Sequence, residues 1–200
     1  MAKIKLTKNE LKKQKDALKM FTRYLPTLIL KKQQLQMEIR KVEEREAAVR
    51  EEKNALEDDF RRWISVFGED AGLDENLLVL DKLEVGDGNI AGVAIPVFHG
   101  ASFAPASYDL WMMPLWVDKA VVELQRVMLL DLELQVLEEQ RRLLAAELRT
   151  TTQRVNLFEK VKIPETKGSI KKISIYLGDQ QTAAVVRGKI SKRGLERAAS

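Results

Sequence analysis

The chain has 200 residues, of which 32% are charged, and a net charge of +4. It contains no cysteine, which excludes disulfides and thiolate metal sites, and its one histidine, His99, cannot build a multi-histidine zinc site. No run of about 18 apolar residues is present, so direct membrane insertion is not expected. The basic N-terminus lacks the apolar core and cleavage site of a secretory signal, which together with the absent cysteines fits a cytoplasmic protein.

Residues 7–68 read as one long helix. Thr7 is placed to cap it, with Glu10 three residues on completing a capping box. Apolar residues then recur every seven positions: Phe21, Leu28, Leu35, Val42, Val49, Leu56 and Trp63. A second row, Leu11, Leu18, Leu25, Ile39, Phe60 and Phe67, is broken by Lys32, Glu46 and Lys53. Such rows are the seam of a coiled coil, and polar residues within a seam set register or face another chain. About 60 helical residues would make a rod of roughly 90 Å, too long to stand without a partner for its apolar stripe. Pro26 predicts a kink near Thr22–Leu25, and Gly68 and Gly72 are candidate stops.

Residues 69–113 form an irregular cap. Leu77–Val85 and Ile90–Phe98 favour strands, and Gly86–Asn89 between them reads as a hairpin turn, with Pro96 suited to an edge strand. His99–Met113 reads as a loop. Trp63, Trp111 and Trp116 gather where the rod should meet this cap.

A second helix is expected over 114–178, starting at Pro114. One of its rows is Ala120, Val127, Leu134, Leu148 and Val155, interrupted by Arg141; the other is Leu130, Leu137, Leu144, Thr151 and Phe158. Pro164 should bend or end it, after which Ile170, Ile173 and Leu177 resume helical spacing. Residues 179–200 are a basic tail, helical or disordered. The fold class is therefore mainly α: a long antiparallel two-helix coiled coil with a short β-hairpin and loop cap in mid-chain.

Little in the sequence points to chemistry. Gly86–Ala91 matches the dinucleotide pattern GxGxxA, but the strand-like stretch after it favours a hairpin over a nucleotide site, and no cofactor is expected. The runs Glu43-Glu44-Glu46 and Glu51-Glu52 lie beside Arg45, Arg50 and Lys53, as on a salt-bridged solvated helix face. The first 19 residues carry seven lysines against Glu10 and Asp16, and Arg187–Arg197 is basic as well. An antiparallel pair brings these ends to one tip, either a solvated face or a docking surface for an acidic partner. Basic and aromatic residues do not interleave as in nucleic-acid binders, so no nucleic-acid partner is expected.

Several strings resemble the D subunit of the V-type and archaeal-type rotary ATPases. They are Leu6-Thr7-Lys8-Asn9-Glu10-Leu11; Lys31-Lys32 through Leu35 and Glu38; Asn89–Val93 with Ile95-Pro96; and Thr152-Gln153-Arg154-Val155-Asn156 with Glu159 and Ile163-Pro164. Gln33-Gln34 stand where the family usually carries Arg-Asp. The resemblance implies a non-catalytic rotor shaft, or central stalk. Its paired helices would enter a hexamer of A and B subunits, the F subunit would bind the shaft, and the hairpin end would meet the C subunit (d in eukaryotes), which links to the membrane ring. Torque would couple ATP synthesis or hydrolysis to H⁺ or Na⁺ transport. Lys5, Lys8, Lys12, Lys13 and Lys15 at one end and Asn89, Ile90, Gly92 and Val93 in the hairpin are the candidate docking residues. The competing reading is a cytosolic coiled-coil adaptor or tether.

Overall fold

The computed structural model describes residues 4–63, 78–105, 114 and 116–198. In chain order these form helix α1 (Lys8–Trp63), strands β1 (Leu80–Ile90) and β2 (Val93–Phe103), helix α2 (Trp116–Asn156), a π-helical turn (Leu157–Lys162) and helix α3 (Ile163–Ala198). Gly68, Gly72 and Trp111 lie outside the described residues. The chain divides into two units, one of Met1–Lys31 with Thr150–Ser200 and the other of Lys32–Arg149.

In the unit 32–149, α1 and α2 run antiparallel: Arg45 pairs with Glu133 at 2.8 Å and Glu52 with Arg126 at 2.8 Å, so partners descend as numbers rise. The heptad spacing puts Leu35, Val42 and Val49 of α1 on one face. They meet Leu130, Leu134, Leu137 and Leu144 of α2 in a single buried cluster. Leu35 and Leu144 are 0% exposed.

The β-hairpin departs from the sequence expectation. Its turn is Ala91-Gly92, and Gly86–Asn89 lie inside β1, paired with Val97–Ala94 of β2. The reason is backbone geometry: a two-residue hairpin turn of the type whose twist matches the strands needs positive φ at both central positions. Ala91 has φ 52° and Gly92 φ 80°, and Asn89 Oδ1 accepts the Gly92 N–H at 3.0 Å. The in-strand glycines serve packing instead. A β-carbon on Gly88 would lie 2.6 Å from Val97 Cγ2, and one on Gly86 would run into the His99 ring. His99 itself belongs to β2, which runs on to Phe103. The turn end of the hairpin lies against the helix pair: Ile95 belongs to the buried cluster, Ile90, Ala91 and Val93 pack on it, and Gln140 Nε2 donates to the Pro96 carbonyl at 2.6 Å.

α2 begins at Trp116, with the Val117 N–H bonded to the Pro114 carbonyl at 3.1 Å. Near its start Val117 and Val121 are buried with Leu78 and Trp116 against them.

In the other unit, Thr7 Oγ1 accepts the Glu10 N–H at 3.3 Å, the expected cap; the Glu10 carboxylate, however, takes Gln14 Nε2 at 2.9 Å. α1 passes through Pro26 without interruption. Pro164 does not end the second helix either. The Ile163 N–H bonds the Phe158 carbonyl, a reach of five residues, and the helix continues to Ala198. This π turn takes up one extra residue. Up to it the inward row is Thr151 and Phe158, which would continue to Glu165 and Lys172. Beyond it Thr166 and Ile173, one position later, are buried, with Ser169 between them, while Glu165 and Lys172 are exposed.

Candidate functional site

Among the described residues no three His, Asp or Glu side chains are placed to hold a metal ion. No helix there is long and apolar enough to cross a membrane. What the sequence builds instead is a seam with charges set into it, and surfaces beside it.

In the unit 32–149, Leu35, Val42, Val49, Leu134, Leu137 and Leu144 are buried, and Leu56, Val127 and Leu148 are partly buried. In the other unit Val155 is buried, and Leu28 and the Phe21–Phe158 pair are partly buried, the two rings 5.1 Å apart and tilted by 49°. Trp63 ends α1, and its side chain lies outside the described residues.

The interruptions of the seam answer one another, which the sequence reading did not foresee. Glu46 accepts Arg141 Nε at 3.1 Å on one oxygen and an Arg50 guanidinium nitrogen at 2.9 Å on the other. Lys53 Nζ donates to Asp131 at 2.6 Å. That bond is the main cause holding the Lys53 ammonium above the usual lysine pKa, against the opposing pull of burial. Arg142, bonded to Glu139 at 2.6 Å, holds that carboxyl below its ordinary range. The signal was available: Glu46 and Arg141 each break a row on their own helix, and an antiparallel alignment sets one against the other.

The strings that carried the resemblance are divided between exposed surface and the seam, which takes Leu35, Ile95 and Val155. Thr7 caps α1, and Lys8 and Asn9 lie exposed in or beside its first turn. Gln153, Arg154, Asn156 and Pro164 are exposed around the buried Val155 and the π turn. Lys5, Lys8, Lys12, Lys13 and Lys15 are all exposed, in the same unit as the basic stretch Arg187–Arg197. From Gly178 on, every residue whose burial is described is exposed. In the hairpin, Asn89 and Gly92 are exposed, whereas Ile90 and Val93 are turned partly onto the chain's own core.

This is a helix-pair protein with a β-hairpin laid on its seam and with both chain ends in one lysine-rich unit. Residues 10–193 match the family of the ATP synthase D subunit, and the chain belongs to that family. It is 54% identical over 195 residues to the V-type ATP synthase D subunit of Borreliella burgdorferi, covering 98% of this chain and 96% of that one. It is 35% identical over 198 residues to the protein of the same name from Chlamydia felis, covering 98% and 95%. With that of Chlamydia trachomatis serovar L2 it shares 33% over 203 residues, covering 98% and 97%.

Proposed function

We propose that this chain is the central-stalk component of a V-type ATP synthase, a rotor shaft that carries torque and performs no chemistry itself. The observation that carries the reading is the 54% identity, across nearly the full length of both chains, to a protein named as the D subunit of a V-type ATP synthase. The adaptor reading has no comparable support.

A shaft needs stiffness and asymmetry, and the residues supply both in physical terms. A close-packed leucine seam resists deformation because interiors pack at crystal-like density. Two helices of different sequence present a different face in each direction, so a ring of partners around them meets a different surface at each angle. If each ring conformation prefers one angle, chemistry in the ring and rotation of the shaft are linked by a coupling free energy.

In this reading the unit holding both chain ends enters the hexamer of A and B subunits. Lys5, Lys8, Lys12, Lys13 and Lys15 approach acidic loops there, the F subunit binds beside the shaft, and Asn89, Ile90, Gly92 and Val93 serve the end that meets the C subunit. The protein works on the cytoplasmic side, peripheral to the membrane, and the ring it drives moves H⁺ or Na⁺. Affinity purification of the tagged chain from its native cell should recover the catalytic subunits with one copy of this chain per complex; recovery without them removes the reading. Neutralising the five lysines together should weaken assembly or the coupling of ATP turnover to ion transport. Unchanged assembly and coupling would reject the docking role of that surface while leaving the shaft role standing.

A further inference from the structure

The polar breaks in the seam point to a role that apolar packing cannot fill. Rows that repeat every seven residues leave an ambiguity: sliding α2 along α1 by seven positions, about 10 Å along the axis, again sets apolar residue against apolar residue. Within the unit 32–149 the charged residues remove that ambiguity. The Glu46 side chain is only 11% exposed and is held by Arg141 and Arg50, and Lys53 is held by Asp131.

We propose that Glu46 and Arg141, supported by Lys53 and Asp131, are positioning residues that fix the register of the helix pair, selecting one alignment from the heptad-equivalent set. In the observed alignment Glu46 lies against Arg141. A slide that carries Leu148 to Glu46 also carries Arg141 to Lys53: the carboxylate then meets an apolar residue and two cations meet each other. The opposite slide sets Leu134 against Glu46 and Arg141 against Ile39, so the carboxylate keeps only Arg50 of its own helix and the guanidinium loses its carboxylate partner. Burying a charge without its partner is costly, whereas the native pair satisfies both. Arg141 and Arg50 keep much of their side chains in solvent, so their heads stay hydrated while their stems cover the seam. The cost of the native arrangement is therefore modest and that of each slipped one is high.

The inference holds whether or not the protein is a rotor shaft, because it concerns the isolated chain; copurification tests the other reading separately. The absence of cysteine makes the test direct. Ala48→Cys and Ala145→Cys, both at exposed positions on facing helices, give sites for spin labels whose separation is read by pulsed electron resonance. With the native charges one narrow distance is expected. Glu46→Leu combined with Arg141→Leu should keep the melting temperature or raise it, yet add a second distance that corresponds to a slide of about 10 Å. The exchanged pair, Glu46→Arg with Arg141→Glu, should return the single native distance. A single native distance in the double-leucine variant overturns the proposal. So does loss of the helix pair in that variant, which would make the charges a source of stability and not of alignment. Failure of the exchanged pair to restore one distance overturns it as well.

Discussion

The two units solve the same packing problem with different side chains. The seam of the unit 32–149 is built of leucine and valine, with a β-hairpin laid over it and charge pairs set into it. The unit of the two chain ends buries Thr151, Thr166, Ser169, Val155 and Ile173 instead. The hydroxyls of Thr166 and Ser169 bond the carbonyls of Lys162 and Glu165, each four residues back on their own helix. Such bonds satisfy a buried hydroxyl within one helix and give nothing across the interface. Apolar area removed from water is the main favourable term in helix pairing. The first unit should therefore be the stable anchor and the second the one that opens first.

The largest test of that contrast is a matched pair of cavities. Leu144→Ala, at a site 0% exposed among leucines, should cost about 2–5 kcal/mol and lower the global unfolding transition. Ile173→Ala, also at a site 0% exposed, removes a similar volume in the unit that buries fewer large apolar side chains. Its effect should appear as faster amide hydrogen exchange confined to residues 4–31 and 150–198, with the global transition little changed. Equal global destabilisation by both variants would mean that the units unfold as one.

The hairpin offers the next test, because it is the extra layer that only one unit possesses. Gly92 at φ 80° sits where a β-carbon is strained, so Gly92→Ala should cost about 1–2 kcal/mol. Ala91, at φ 52°, carries that strain already, and Ala91→Gly should relieve part of it, raising stability by up to about 1 kcal/mol. Denaturant titration of the two variants should give shifts of opposite sign. If both destabilise, the turn is not held in this geometry in solution.

How much of this was legible depends on which interaction decides each feature. The seam was readable because a seven-residue period maps directly onto one helix face: Leu35, Val42 and Val49 recur at that spacing and share one buried cluster. The fold class followed from two such stripes with a β-favouring stretch between them. The hairpin register was misread because glycine signals permission and not necessity. Gly86 and Gly88 looked like a turn, but their role is to make room for His99 and Val97, and the turn fell to Ala91-Gly92, where an alanine masked it. At Pro164 the helix does not stop: a π turn just before it absorbs one residue and shifts the buried row from Glu165 to Thr166. The charge pairs were hidden for a different reason. Each half was visible as a flaw in its own row, but pairing depends on the alignment of two distant segments.

A smaller effect probes the weaker unit at its first turn. Thr7→Ala removes the side-chain acceptor for the Glu10 N–H at the start of α1. Loss of such a cap costs typically about 1 kcal/mol. Because the site is exposed and water can replace the hydroxyl, the cost should fall at the low end, visible as faster exchange over the first helical turn and not as a shift in global melting.

The smallest expected effect separates the charge pairs from the apolar seam by pH. The Asp131 bond raises the pKa of Lys53 in the folded chain above its usual value near 10.5. The folded state therefore binds this proton more tightly than the unfolded state does, and the added stability is complete below the unfolded value. It is lost as pH climbs through the raised, folded value. Urea midpoints of the native chain should then decline more steeply above about pH 10.5 than those of Asp131→Asn, in which the bond to a carboxylate is gone. Below that range the two curves should run parallel. Leu144→Ala, by contrast, should lower the midpoint by the same amount at every pH, since no proton is bound or released where that side chain packs. Curves for Asp131→Asn and the native chain that stay parallel through the alkaline range would show that the Lys53–Asp131 bond contributes nothing to folding stability.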